Sequence, residues 1–522
     1  MIAPPPRCGN NQIDPGEACD GTNLNGLSCS TVATGFKSGL LACKPDCSGY
    51  DVSQCASGNT ITAKSCNQPD VQSAINQAQP GDTVVVPGGN CPWSSAVTIS
   101  GKALTLKGAA TAPTGRGAGT VSTNISANVW PALNVVVSAT NFVTVSGFHF
   151  ADATHVNTPV VDVNGPFGEV GFHITNSSFS NVAAIGIEVT GVYGLIDHTN
   201  ITSAGNAQLI RVVGDDNYNG ALAWDTPLAL GTEQFVYMED SILVGPADSV
   251  DDGYNGARVV VRYNDFHECE PGGHGTDSGG HRSLLWLEVY HNTYFNNGTA
   301  FTKRIAQYRG GTGLIYGNLI GSGQHNDGNT LQYWRGCTNY TSLSWPACTG
   351  ANYKLTSDLT DASSSGMYMF CSNDLDRRCV SNSDCSSGGT CSAFFDQSAT
   401  TCRDMPGYGP KQALDPIYTW SNDSGFYYDS TTSGMTGVYN AGYDCPTNDN
   451  IVANKQYFDG VLSGFNGTSG VGVGTAAKRP ATCALDVGYW STDEGALYRC
   501  TAPNTWTRYY LPFTYPHPLQ RQ

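Results

Sequence analysis

Three clusters of titratable residues precede three successive apolar stretches. They are Asp248, Asp251 and Asp252; then His274, Asp277, His281 and Arg282; then Lys303, Arg304 and Arg309. Two chemistries use such a set. Glycoside hydrolysis needs one carboxyl group as acid and a second as base or nucleophile. Asp251, Asp252 and Asp277 are the candidates, with His274 tuning or shuttling the proton. β-Elimination of a uronate instead needs a base near the sugar C5 and a cation that neutralises the carboxylate. Arg282, Arg304 or Lys303 can supply that cation, together with Ca²⁺ held by aspartates. Asp215 and Asp216 extend the row upstream and, with Asp248, are the candidate Ca²⁺ ligands. Lys303 and Arg309 are also candidate substrate contacts, and Trp224 and Trp334 can stack on sugar faces. A plainer reading stands beside each: Asp-Asp, Asp-Gly and His-Gly are ordinary turn text, and tryptophan more often packs a core.

Chemistry spread over three clusters needs a scaffold that repeats. Alternating apolar strands end in a polar residue at Asn176, Asn200, Asp240, Asn264, Asn292 and Asn318, at intervals of 24, 40, 24, 28 and 26. A rung of about two dozen residues with inserted loops fits that spacing. Asparagines stacked at a strand-ending turn can hydrogen-bond from coil to coil, because parallel strands lie about 4.8 Å apart. Propellers and sandwiches would require antiparallel partners joined by short hairpins. The expected fold is all-β, a right-handed parallel β-helix solenoid with small disulfide-rich modules. Outward side chains of such coils line a long groove suited to an extended polysaccharide.

The entry to the solenoid has its own signature. Val71, Ile75 and Ala78 share one face of a short helix, and Pro80-Gly-Asp-Thr-Val-Val-Val86-Pro-Gly turns into a strand. This pair resembles the entry cap of pectin-lyase-like β-helices, which covers the open core and strand edges of the first coil. Asp251-Asp252, Gly273-His274-Gly275 and Arg304-Ile305 follow an order similar to polygalacturonase-type hydrolases. The chain departs from them in lacking an Asn-Thr-Asp one coil upstream and in placing Lys303 before Arg304. The cap, His274-Gly-Thr-Asp277, Glu288-Val-Tyr-His-Asn292, Arg309-Gly-Gly-Thr-Gly313 and the Tyr-Pro-His-Pro ending resemble a group of secreted bacterial β-helix proteins. That resemblance implies the fold more than any one activity.

Cysteine usage sets the expected compartment. Of 19 cysteines, Cys8, Cys19, Cys29, Cys43, Cys47 and Cys55 group together, as do Cys66 with Cys91 and Cys337 with Cys348. A group of eight follows from Cys371 to Cys500, leaving Cys269 over. Even groups imply local disulfides and a secreted or cell-surface protein. Cys8-Gly-Asn-Asn-Gln-Ile-Asp-Pro-Gly-Glu-Ala-Cys19 resembles myxobacterial-type cysteine-rich repeats. Asp14, Glu17 and Asp20 in it are either Ca²⁺ ligands or solvated turn carboxylates. The expected organisation is a cysteine module at 1–58, the β-helix at 59–336, a disulfide-rich insertion at 337–402 and a segment at 403–522 that closes and packs on the helix.

The formal charge of -17, without basic runs, speaks against a nucleic-acid partner. No apolar stretch is long enough to span a membrane, and the start lacks a signal-peptide core, as a mature form would. A polysaccharide is the expected partner, cut by a hydrolase or lyase or gripped by a non-catalytic adhesive surface protein; the third alternative is a structural subunit of an extracellular assembly. Sugar identity and oligomeric state stay open.

Overall fold

The computed structural model describes residues 13–521 apart from short gaps and the stretches 274–281, 296–304, 323–328, 332–368, 383–388, 393–403, 424–435 and 438–452. It is a parallel β-helix, divided into two compact units. One comprises 1–205, 230–242 and 512–522; the other comprises 206–229 and 243–511.

In the first unit the helix Gln68–Gln77 buries Val71, Ala74 and Ile75 and covers the first coil. Pro69 at its start and Asp70 in its first turn suit a helix N-terminus. Lys102 Nζ closes the other end by donating to the carbonyls of Ile75 (3.1 Å) and Ala78 (2.7 Å). The main sheet then steps from coil to coil through Thr60–Thr62, Asp82–Val85, Leu104–Lys107 and Val143–Ser146. It continues through the later parts of Pro159–Thr175 and Ile185–Asp197 to Val236–Glu239. A second face stacks Gly89–Trp93, Thr123–Ala127, Phe148–Ala151, Ser178–Val182 and Asn200–Ser203.

The second unit stacks Arg258–Arg262, Trp286–Tyr290, Thr312–Tyr316, Ile417–Trp420 and Tyr457–Asp459. The last two strands carry the helix past residue 336, the end expected from the sequence repeat. Leu314 pairs in register with Tyr418, so the chain makes an excursion of about a hundred residues between adjacent coils, and the sequence period breaks there.

The first four of these strands are buried at every position. One face packs the solenoid core. The other is roofed by a small sheet of Val471–Gly474, Gly488–Ser491, Ala496–Ala502 and Thr505–Tyr510, tied by Cys483–Cys500. The aromatic column Tyr290–Tyr316–Trp420 stacks at 4.6 and 4.4 Å under Trp490 of this roof.

The turn ladder forms, with a register that differs between units. In the second unit Asn264, Asn292, Asn318 and Asn422 each pass a hydrogen bond to the next, at 3.1, 3.1 and 2.8 Å. In the first unit the inward position is instead held by hydroxyls: Thr199 donates to Ser241 at 3.0 Å, and Ser177 caps Phe148 N. Asn176 and Asp240 occupy the preceding residue, where φ is +45° and +47°. The expectation that Asn176, Asn200 and Asp240 are ladder members is therefore corrected. Asn and Asp tolerate the left-handed conformation, and a hydroxyl satisfies the turn that the amide satisfies elsewhere.

Among the described cysteines Cys19–Cys43, Cys29–Cys55, Cys66–Cys91 and Cys483–Cys500 are bonded, while Cys269 is a buried thiol that donates to the Leu243 carbonyl at 3.3 Å. No helix among the described residues is long and apolar enough to cross a membrane.

Candidate active site

The backbone around the three clusters belongs to the second unit and is stacked in parallel register. Gln208 pairs with Ser249 and Ile210 with Asp251. Val213 then bridges Tyr254, Gly253 bridges Gly273, and Gly272 bridges Gln307. Gly253 directly follows Asp252, Gly273 directly precedes His274, and Gln307 lies three residues after Arg304. Gln307 N donates to the Pro271 carbonyl at 3.0 Å, and Gly273 N to the Gln307 carbonyl at 3.2 Å. The glycines allow this close approach: a Cβ on Gly273 would stand 2.7 Å from the Leu284 Cβ. Asp248, Asp252, His274, Asp277, His281, Lys303, Arg304 and Trp334 lie outside the described residues, as does the side chain of Asp251.

Four expected site residues are described, together with Asp216, which is exposed. Arg282 is fully buried; its Nε and Nη2 donate to Asp404 at 3.1 and 2.7 Å, and its guanidinium lies 4.9 Å above the Trp224 ring. Trp224 is buried as well, donating from Nε1 to the Ser283 carbonyl at 3.2 Å. The expectations of Arg282 as a substrate-neutralising cation and Trp224 as a sugar platform are therefore corrected: a spent guanidinium and a covered ring face meet no ligand. Asp215 is buried, and its carboxylate accepts from Leu222 N at 3.0 Å, fastening the helix Ala221–Asp225. Arg309 is half-buried.

Among the described residues one group has metal-ligand spacing, Glu17, Asp20 and Cys47. The Cys47 sulfur is in a disulfide, and the Glu17 carboxylate accepts from Asp14 N at 2.9 Å, which leaves a poor donor set for an ion.

Two buried polar clusters escaped the sequence reading. In the first unit Asp197 bridges His173 Nε2 and His198 Nδ1, both at 2.7 Å. Burial opposes its charge, yet the two histidines hold its carboxyl well below the usual range. Burial pulls His198 down, but the hydrogen bond and charge of Asp197, with Asp240 and Glu239, leave it raised. The neighbouring Glu239 and Asp240 are bound by the chain's last residues: His517 N and Gln520 Nε2 donate to Glu239, and Tyr515 and Gln520 donate to Asp240. In the second unit Glu288 is buried beneath the roof, accepting from Trp286 Nε1 at 2.8 Å and hydrogen-bonded to the Tyr510 hydroxyl. Burial, outweighing those bonds and the nearby Arg262, pushes its carboxyl up to about 7. Strict alternation along Val170–Thr175 and Trp286–Tyr290 already turns His173 and Glu288 away from the core. Which segment would cover that face at these two places was not legible in the sequence.

No protein-family model and no curated protein sequence matches the chain. Among solved structures, an alginate lyase from Paenibacillus sp. str. FPU-7 is similar at 16% identity and a TM-score of 0.31, covering 52% of this chain and 97% of its own. The PL6-family polysaccharide lyase Pedsa3628 from Pseudopedobacter saltans stands at 11% and 0.33, covering 76% and 98%. The PL6-family alginate lyase AlyGC stands at 11% and 0.30, covering 88% and 57%. Likenesses this distant leave the functional reading to rest on the chain's own residues.

Proposed function

We propose that this chain is an extracellular enzyme that cleaves an extended, uronate-containing polysaccharide by β-elimination at the edge of the second unit. The observation that supports this is the parallel register of Gly253, Gly273 and Gln307, backbone positions that adjoin Asp252 and His274 in sequence and follow Arg304 by three residues.

In this reading His274 takes the C5 proton as base while Lys303 and Arg304 neutralise the uronate carboxylate. Electron density released at C5 forms the C4–C5 double bond as the C4–O bond breaks, and the leaving oxygen takes a proton from water, to which His274 later returns the one it removed. Asp216 and Asp248 would hold a Ca²⁺ ion, which would share that neutralisation, while Asp215 already accepts from Leu222 N. Arg282 has no part in it, since Asp404 already holds it. The disulfides suit an oxidising compartment.

The test is a panel of uronate polymers with and without Ca²⁺, read for unsaturated-uronate absorbance and for new reducing ends. Expected is absorbance that falls about 10²- to 10⁴-fold in His274→Ala and Arg304→Ala. Reducing ends without absorbance would replace elimination by hydrolysis through the aspartates. Retention on a polymer without any product would make the chain a binding protein.

A further inference from the structure

The roof over the second unit is anchored at one point by an acid. Glu288 lies at the centre of the strand Trp286–Tyr290 and meets the last residue of the roof strand Thr505–Tyr510. Every element around it contributes a polar group: Trp286 and Tyr290 from its own strand, Arg262 from the preceding coil, Tyr316 from the following coil and Tyr510 from the roof. Arg262 Nη1 itself donates to the Tyr290 hydroxyl at 2.7 Å, so the guanidinium is shared. The Trp490 ring closes the next coil over, against Tyr316 and Trp420.

We propose that this contact is a proton-operated clasp, with the C-terminal sheet held on the outward face of the coils while Glu288 carries a proton and loosened when the proton leaves. An uncharged acid can donate to Tyr510 and sit under aromatic rings without cost, whereas a carboxylate there must be stripped of water. Tyr510 and Tyr316 are raised well above their ordinary value and stay neutral throughout, so Glu288 is the group that changes charge at the contact. The sign follows from its raised value: closure is fully supported below pH 4.5 and weakens as the pH climbs through about 7. Other ties of the roof, among them Asp415 to Arg499 and Tyr509 at 2.7 and 2.8 Å and the Tyr418 hydroxyl to the Asp486 carbonyl at 2.8 Å, are separate contacts.

Hydrogen exchange of the amides in 496–510, corrected for intrinsic rates, tests the clasp. Between pH 5.5 and 8.5 their protection should fall about 30-fold, the ratio a carboxyl moved from 4.5 to about 7 gives over that range. Glu288→Gln, uncharged at every pH, should remove that slope, while Glu494→Gln, on the exposed rim of the same sheet, should keep it. A slope that survives in Glu288→Gln, or flat protection in the wild type, overturns the proposal. Should that variant fail to fold, difference infrared spectroscopy of the wild type gives the titration of the protonated carboxyl directly. Coincident midpoints for carboxyl and protection support the clasp, and separate midpoints overturn it.

Discussion

At the residue scale, buried charge explains which expectations failed. Arg282 reads in sequence as one more cation in a row, because nothing local announces a carboxylate 122 positions away. Asp404 lies late in the excursion between the strands Thr312–Tyr316 and Ile417–Trp420, and only folding brings it to the guanidinium. Removing one partner of a buried pair strands the other, so Asp404→Asn should cost about 3–5 kcal/mol in urea unfolding. Replacing both partners by apolar residues should cost much less, and equal costs would show that the pair carries no coupling. His198 offers a test with a pH axis. Its φ of +45° makes asparagine the substitution least confounded by backbone strain. Because its folded value is raised, the pair with Asp197 stabilises fully below pH 6.5 and fades as pH rises through the folded value. The stability lost in His198→Asn should therefore be largest near pH 5.5 and shrink towards pH 9. A loss independent of pH would assign His198 a packing role alone.

At the element scale the rung was legible and its register only partly so. Alternation and a recurring polar stop located Asn264, Asn292 and Asn318 correctly, because an amide both donates and accepts along the ladder. Asn292 shows how much one side chain carries: its Nδ2 reaches Val261 O, Tyr290 O and Asn318 Oδ1, and its Oδ1 accepts from Asn264 N and Nδ2. Ser177, Thr199 and Ser241 perform the same duty with hydroxyls, and a reader looking for asparagine slips by one residue. Asn292→Ala should lower stability by about 1–3 kcal/mol, because buried donors and acceptors of its neighbours lose their partner. Asn292→Ser should recover part of that loss, since the first unit turns on hydroxyls at the same place. Alanine at both Asn264 and Asn292 should cost less than the sum of the single changes. Additive losses in urea titrations would mean that the ladder is a row of independent turns.

At the scale of the molecule, strands pair with those of adjacent coils, so much of the stability adds up along the axis and the ends carry a special burden. An end coil offers a naked apolar core and a row of unpaired backbone groups, which is a template for a second chain. The helix Gln68–Gln77 answers this: Val71 and Ile75 lie on the core, and Lys102 fastens its carboxyl end. This device was visible in sequence because a helical spacing interrupts strand text and a Pro-Gly turn follows it. That the segment 403–522 packs on the helix was expected, but which face it roofs was not visible, since a face that alternates like any solvent-facing strand gives no sign of what will cover it. Val71→Asp with Ile75→Asp should lift the helix away while leaving the distant coils paired, as a one-dimensional stack predicts. Light scattering against concentration should then show self-association that the parent lacks at the same concentration, together with faster amide exchange in Asp82–Val85. Exchange that instead rises evenly through every coil would show that the cap governs a single cooperative unfolding step, and the additive picture of the solenoid would fall.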